Sequence, residues 1–172
     1  MLGSVAPWLL IVVGFVFAAF AFVVAFGAPY LPTLKSHVPK ALELLELKPG
    51  QTMLELGCGD GRVLIAAAEQ GINAVGYEMN PLLALYAFVR TRKYGRRVKV
   101  VWGNYWTKKW PPADAIFVFL LQTYMPKLDK KIIQEYTHPV KLASFAFRVP
   151  GRHIDVERAG FYLYLYNQKP NV

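Results

Sequence analysis

The run Glu55-Leu56-Gly57-Cys58-Gly59-Asp60-Gly61 sets three glycines at alternate positions beside two acids. Glycines let a ligand approach the backbone, and a glycine loop between an apolar strand and a helix is where open α/β sheets bind nucleotides. The spacing is not that of a dinucleotide fingerprint, whose third glycine would fall where Arg62 stands. Charge narrows the ligand further: Glu55 and Asp60 would repel a pyrophosphate but suit a molecule carrying an ammonium and a sulfonium. S-adenosylmethionine is such a molecule. Glu78, seventeen residues past Gly61, ends the next apolar run, where an acid can accept from both hydroxyls of an adenosine ribose. The Asn104 amide could accept from an adenine amino group and donate to the adjacent ring nitrogen. The candidate cofactor residues are therefore Glu55, Gly57, Gly59, Asp60, Gly61, Glu78 and Asn104. Each has a plainer reading: Glu78 as a helix cap, Asn104 as a turn residue, the glycines as a tight connection.

Positioning these residues requires alternating strands and helices. Val38, Ala41, Leu42 and Leu45 recur at helical spacing before Lys48-Pro49-Gly50. Strands are expected over 52–56, 74–77, 98–102, 115–121 and 142–147, and helices over 62–70, from the Asn80-Pro81 cap to about residue 93, and over 126–136. The order implies a parallel sheet covered on both faces. Residues 154–157 and 161–166 read as a closing antiparallel hairpin with Tyr162, Tyr164 and Tyr166 on one face.

The 20 basic and 11 acidic side chains all lie beyond residue 34. Residues 7–26 form twenty uncharged, mostly apolar positions, about the length a helix needs to cross a hydrocarbon core. A cleaved signal fits less well, since no Lys or Arg precedes the run. The division expected is a transmembrane anchor and membrane exit over 1–34 and a soluble domain over 35–172. Lys35 and Lys40 are the first charges after the span, which puts the body in the cytoplasm, or in the matrix of a mitochondrion. Gly14, Ala18, Ala21 and Ala25 line one helical face where another helix, including a second copy, has room to approach. Arg90, Arg92, Lys93, Arg96, Arg97 and Lys99 form a run without an acid. An anionic membrane surface explains it best, a solvated face second and nucleic acid last, because no RNA-binding motif accompanies it. His37, His138, His153 and Cys58 have no metal-ligand spacing, and Cys58 reads as a packed loop residue rather than a nucleophile.

Glu55 to Gly61 and Glu78 resemble the first motif and second-strand acid of class I S-adenosylmethionine-dependent methyltransferases. Pro29-Tyr30-Leu31-Pro32 after the span, Gly57-Cys58-Gly59-Asp60-Gly61-Arg62, and Val75-Gly76-Tyr77-Glu78-Met79-Asn80-Pro81 resemble a narrower group. That group is the small membrane-anchored protein-lysine methyltransferases acting on the ATP synthase c-subunit and the adenine nucleotide translocase. The chain departs from it at Gln122, where relatives often carry Pro, and at Asn104, where they often carry an acid. The resemblance implies a Rossmann-like α/β methyltransferase sheet with S-adenosylmethionine as cofactor and lysines of an integral membrane protein as acceptors. Candidate acceptor-site residues are Gln122, Tyr30 and Tyr124, with Thr33 beside them. Competing expectations are a lipid or quinone methyltransferase and a membrane-tethered scaffold that binds the cofactor without turnover.

Overall fold

The computed structural model describes residues 7–26 and 33–167. Tyr30 and the Pro29–Pro32 segment lie outside them. The chain divides into two units, Met1–Leu31 and Pro32–Val172. In the first, helix α1 occupies Pro7–Phe26, with side chains described at 7–18 and 20. Among the described residues no helix is long and apolar enough to cross a membrane, so the reading of α1 as a span rests on its sequence. Two members of the proposed small-residue face, Ala21 and Ala25, fall among the side chains not described.

The second unit alternates as expected: α2 (Val38–Leu45), β1 (Thr52–Leu56), α3 (Arg62–Glu69), β2 (Asn73–Glu78), α4 (Pro81–Thr91), β3 (Val98–Trp102), β4 (Ala115–Val118), α5 (Met125–Glu135), β5 (Val140–Phe145), β6 (Val156–Arg158) and β7 (Phe161–Tyr166). The seven strands form one sheet in the order β3-β2-β1-β4-β5-β7-β6, with only β7 antiparallel to its neighbours. Right-handed crossovers then put α3 and α4 on one face and α5 on the other. Strand alternation feeds two cores. Met53, Ala74, Phe117 and Leu163 pack with α2 and α3, while Leu54, Leu56, Ile116, Leu142 and Tyr164 pack with α5. Tyr162, Tyr164 and Tyr166 share the second of these cores, as their spacing requires.

The boundaries differ where tertiary pairing decides them. β4 stops at Val118, three residues short of expectation, at the level where β1 ends: Leu56 and Ser144 are its last partners. Phe119 instead packs on the rings of Phe145 and Phe147, 5.0 and 6.4 Å away. β5 lies two residues earlier than expected, ended by Ala146 at φ +68°. α4 stops at Thr91 and gives way to 3-10 turns over 92–97. At its start the Asn80 side chain accepts from the amides of Leu82 (2.9 Å) and Leu83 (3.3 Å), a cap worth about 1 kcal/mol.

Candidate cofactor site

The common end of β1, β4 and β5 opens a crevice where the strand order reverses, between β1 and β4. The glycine loop crosses it. Gly57 and Cys58 both donate their amides to the Tyr77 carbonyl at 2.9 Å, which ties the loop to β2. Gly57 has φ +85°, and a Cβ placed on it would meet nothing within 4 Å, so the loop floor is open at that point. Gly61 is tight instead, with φ +76° and a hypothetical Cβ only 3.2 Å from that of Ala87. Gly76 answers Cys58: a Cβ there would lie 2.7 Å from the Cys58 Cβ and Sγ. The thiol is buried in this notch, and burial, then the charges of Glu55 and Glu78, pushes it well above the ordinary thiol range. That suits packing and not nucleophilic attack.

Glu78 sits at the end of β2 with both oxygens engaged. Oε2 accepts from the Gly59 amide at 2.9 Å and Oε1 from the Asn80 amide at 2.8 Å. The carboxylate so clasps the glycine loop to the start of α4, and each oxygen keeps a lone pair for a ligand hydroxyl. Glu55 is buried, and its Oε2 has no hydrogen-bond partner. Burial, and then the neighbouring charges of Asp60 and Glu78, raises its carboxyl well above the ordinary carboxylate range, Arg62 opposing. An orphaned acid beside an open glycine floor fits a ligand that brings an ammonium donor.

Two of the expected cofactor residues already have partners within the chain. Asp60 does not present a bare carboxylate: Arg62 Nε donates to it at 2.9 Å and Arg90 Nη1 at 2.6 Å. Burial raises the Asp60 carboxyl, but the hydrogen bonds and charge of Arg62, with the charge of Arg90, hold it below its usual value. It is a clamp between the loop and α4, and the cation-attracting charge falls to Glu55 and Glu78. Asn104 is exposed, and its Oδ1 accepts from the Trp106 amide at 2.9 Å, forming a turn, which leaves the oxygen one lone pair and the amide its NH2 group.

On the acceptor side, Gln122 is exposed beyond β4, and its Nε2 donates to the Arg148 carbonyl at 2.9 Å, leaving Oε1 free to accept. Tyr124 is half-buried, its ring 6.1 Å from that of Trp106. Thr33 is buried and reaches the loop through its carbonyl, which accepts from Arg62 Nη1 at 2.9 Å. The structure adds Tyr105 and Trp106, rings 4.8 Å apart, with the Lys127 ammonium 4.5 Å from the Trp106 ring. Burial, then the charges of Tyr124 and Glu78, raises the Tyr105 hydroxyl far above its usual value. The signal available in the sequence was the aromatic density of Trp102, Tyr105, Trp106 and Trp110; the basic count of the same region drew the reading elsewhere.

Sheet order, glycine loop and strand-end acid define a class I S-adenosylmethionine-dependent methyltransferase. By its match over residues 55–156 to the model of the ANTKMT methyltransferase domain, the chain belongs to that family. Among similar proteins, the ATP synthase C-subunit lysine N-methyltransferase of Xenopus laevis is 31% identical over 71% of this chain and 54% of its own length. A protein-lysine N-methyltransferase of Saccharolobus islandicus is 31% identical over 72% of this chain and 79% of its own length. The crystal structure of an RNA methyltransferase from Salinibacter ruber with S-adenosyl-L-homocysteine has a TM-score of 0.71 at 25% identity, covering 83% of this chain and 98% of that one. The chain spans about half the length of the Xenopus enzyme and of its mammalian counterparts. S-adenosylmethionine is the cofactor of this family, and the orphaned Glu55, the open floor at Gly57 and the Glu78 carboxylate fit its ammonium, its methionine tail and its ribose.

Proposed function

We propose that the chain transfers methyl groups from S-adenosylmethionine to lysine side chains of an integral membrane protein, held at the bilayer by residues 1–34 while residues 35–172 carry the site. The observation that carries the methyltransferase reading is the partnerless Glu55 oxygen beside the open Gly57 floor. The cofactor supplies a methyl group already activated on a sulfonium, so the protein's task is alignment and dehydration. Glu55, Gly57, Gly59, Gly61 and Glu78 bind the cofactor. Gln122 and Tyr124 line the acceptor site, where the free Gln122 Oε1 accepts a hydrogen bond from the lysine amine. A lysine must arrive neutral to attack, and desolvation at the crevice lowers its pKa toward that state. Relatives named for the ATP synthase C-subunit and for adenine nucleotide translocase support a lysine of a membrane protein as the target. The uncharged Pro7–Phe26 helix supports the anchor, with the body cytoplasmic or matrix-facing, and the acid-free basic run supports contact with anionic lipid.

Incubating the full chain with methyl-labelled cofactor and native membranes tests this directly. Label recovered as methyl-lysine in protein supports the proposal; label confined to lipid or to RNA rejects it.

A further inference from the structure

Helix α4 is built inside out. It buries Ala84, Ala87 and Thr91, and leaves Leu82, Leu85, Tyr86, Phe88 and Val89 between 45% and 61% exposed. At 100° per residue these five occupy an arc of roughly 160°, wider than the stripe an ordinary surface helix turns toward its core. The small face is inward for a reason: at Gly61 the loop comes close enough that a Cβ would lie 3.2 Å from the Ala87 Cβ and 3.3 Å from the Thr91 Cγ2. No larger side chain fits there. Trp102 adds to the outward surface at 66% exposure, its indole donating to the Met79 carbonyl at 3.1 Å beside the start of α4. A contiguous apolar surface of this kind marks an interaction site. At its far end Arg92, Lys93, Arg96, Arg97 and Lys99 are exposed, and the ion pairs among the described residues engage none of them.

We infer that the outward face of α4, with Trp102, seats in the headgroup–acyl boundary of an anionic bilayer while residues 92–99 lie over the headgroups. Charge selects this occupant. A second copy of the same face would bring no acid to either basic segment, and an apolar protein helix would likewise leave the cations unanswered. Anionic lipid answers both the apolar arc and the charge beside it, and Tyr86 and Trp102 are residue types that favour the interface. The inference rests on the membrane-bound reading above and deepens it. Because α4 starts from the Asn80 cap that Glu78 holds, a seated α4 brings the cofactor crevice to headgroup level. Lysines at the ends of membrane helices extend to that depth.

The test uses the full chain in phosphatidylcholine vesicles, with or without about one third phosphatidylglycerol. One fluorophore is placed on Leu85→Cys, or on Lys130→Cys in α5 as the control; Cys58, only 4% exposed, is spared by the label. Dibrominated acyl chains should quench position 85 at least about twice as strongly as position 130, and the difference should shrink when phosphatidylglycerol is omitted. Equal quenching, with both positions open to aqueous iodide, overturns the inference. So does a position 85 closed to iodide yet unquenched by bromolipid, which assigns the face to a protein. A chain that floats with neither vesicle overturns the inference and the anchor together. Methyl transfer by the same labelled chains, measured on native membranes that hold protein acceptors, separates the two readings. Quenching without transfer supports the docking face and rejects the enzyme; transfer without quenching does the reverse.

Discussion

Replacing Glu55 by glutamine should change how stability depends on pH, in a direction the buried site dictates. In the folded chain the Glu55 carboxyl titrates well above its ordinary value, chiefly from burial and then from Asp60 and Glu78. In the unfolded chain it titrates near pH 4. Below that pH both states hold the proton and the group costs nothing. Above it the unfolded chain releases the proton while the folded chain keeps it, so the folded state binds one more. Unfolding free energy then falls by about 1.4 kcal/mol per pH unit until the folded-state pKa is passed, where the loss levels off. Stability from the protonated acid is thus complete below the unfolded pKa and lost as pH rises through the folded one. The amide of the Glu55→Gln variant has no such proton to lose. Urea unfolding of both full chains in a nonionic detergent, followed by fluorescence between pH 5 and 8, should show the variant gaining on the wild type as pH rises. Cofactor binding should respond in the opposite sense: the ligand's ammonium favours the ionised acid, so binding to the wild type releases a proton and binding to the variant does not. Calorimetry in buffers of different ionisation enthalpy reads that proton. Parallel stability curves, together with no difference in proton release, would refute the argument.

Glu78→Ala should weaken cofactor affinity by about 1 to 3 kcal/mol in calorimetry, because a carboxylate that holds two loop amides and two ligand hydroxyls is lost; unchanged affinity would place the ribose elsewhere. Gly76→Ala and Gly57→Val should separate packing from binding. The first drives a methyl to within 2.7 Å of Cys58 and 2.6 Å of Leu64 and should lower the melting temperature, whereas the second fills open space at positive φ and should abolish cofactor titration in a chain that still melts cooperatively. Replacing residues 1–28 by an unrelated span of the same orientation should preserve cofactor affinity within about 1 kcal/mol and restore much of the methylation of a membrane acceptor that their deletion removes. Failure of the transplant would make the Gly14 face a recognition surface.

What could be read from the sequence was local, and what could not was set by residues far apart in the chain. β1 and β3 are bounded by their own turns and apolar runs, so their limits match expectation to the residue. The end of β4 falls at the level where β1 ends, which no property of residues 119–121 announces. Within the site, the glycine loop and Glu78 lie at the strand ends that their spacing implied. The pairing of Asp60 is not legible, because Arg90, thirty residues on, stands in the sequence as one member of a basic run. α4 was legible as a helix but not in its orientation, since both its faces are uncharged over residues 81–89 and only the nearness of Gly61 tells which set can be buried.

The Asp60 clamp bears on how a chain of net charge +9 can hold a cationic ligand. Three acids in one crevice would oppose one another's ionisation, and both Asp60 and Glu78 raise the Glu55 carboxyl. Asp60 is paired with Arg62 and Arg90, and Glu78 accepts from two backbone amides, so neither acid faces Glu55 without a partner, and of the two Asp60 raises it more. An arriving ammonium favours the ionised form of Glu55. Arg90 also joins the loop to α4, donating to the Asp60 carbonyl and carboxylate, where the helix's small face lies against Gly61 and its large apolar residues face outward. The cofactor loop and the proposed docking face therefore draw on one structural feature: the close approach of α4 to the glycine loop, which loosening Arg90 should disturb on both sides at once.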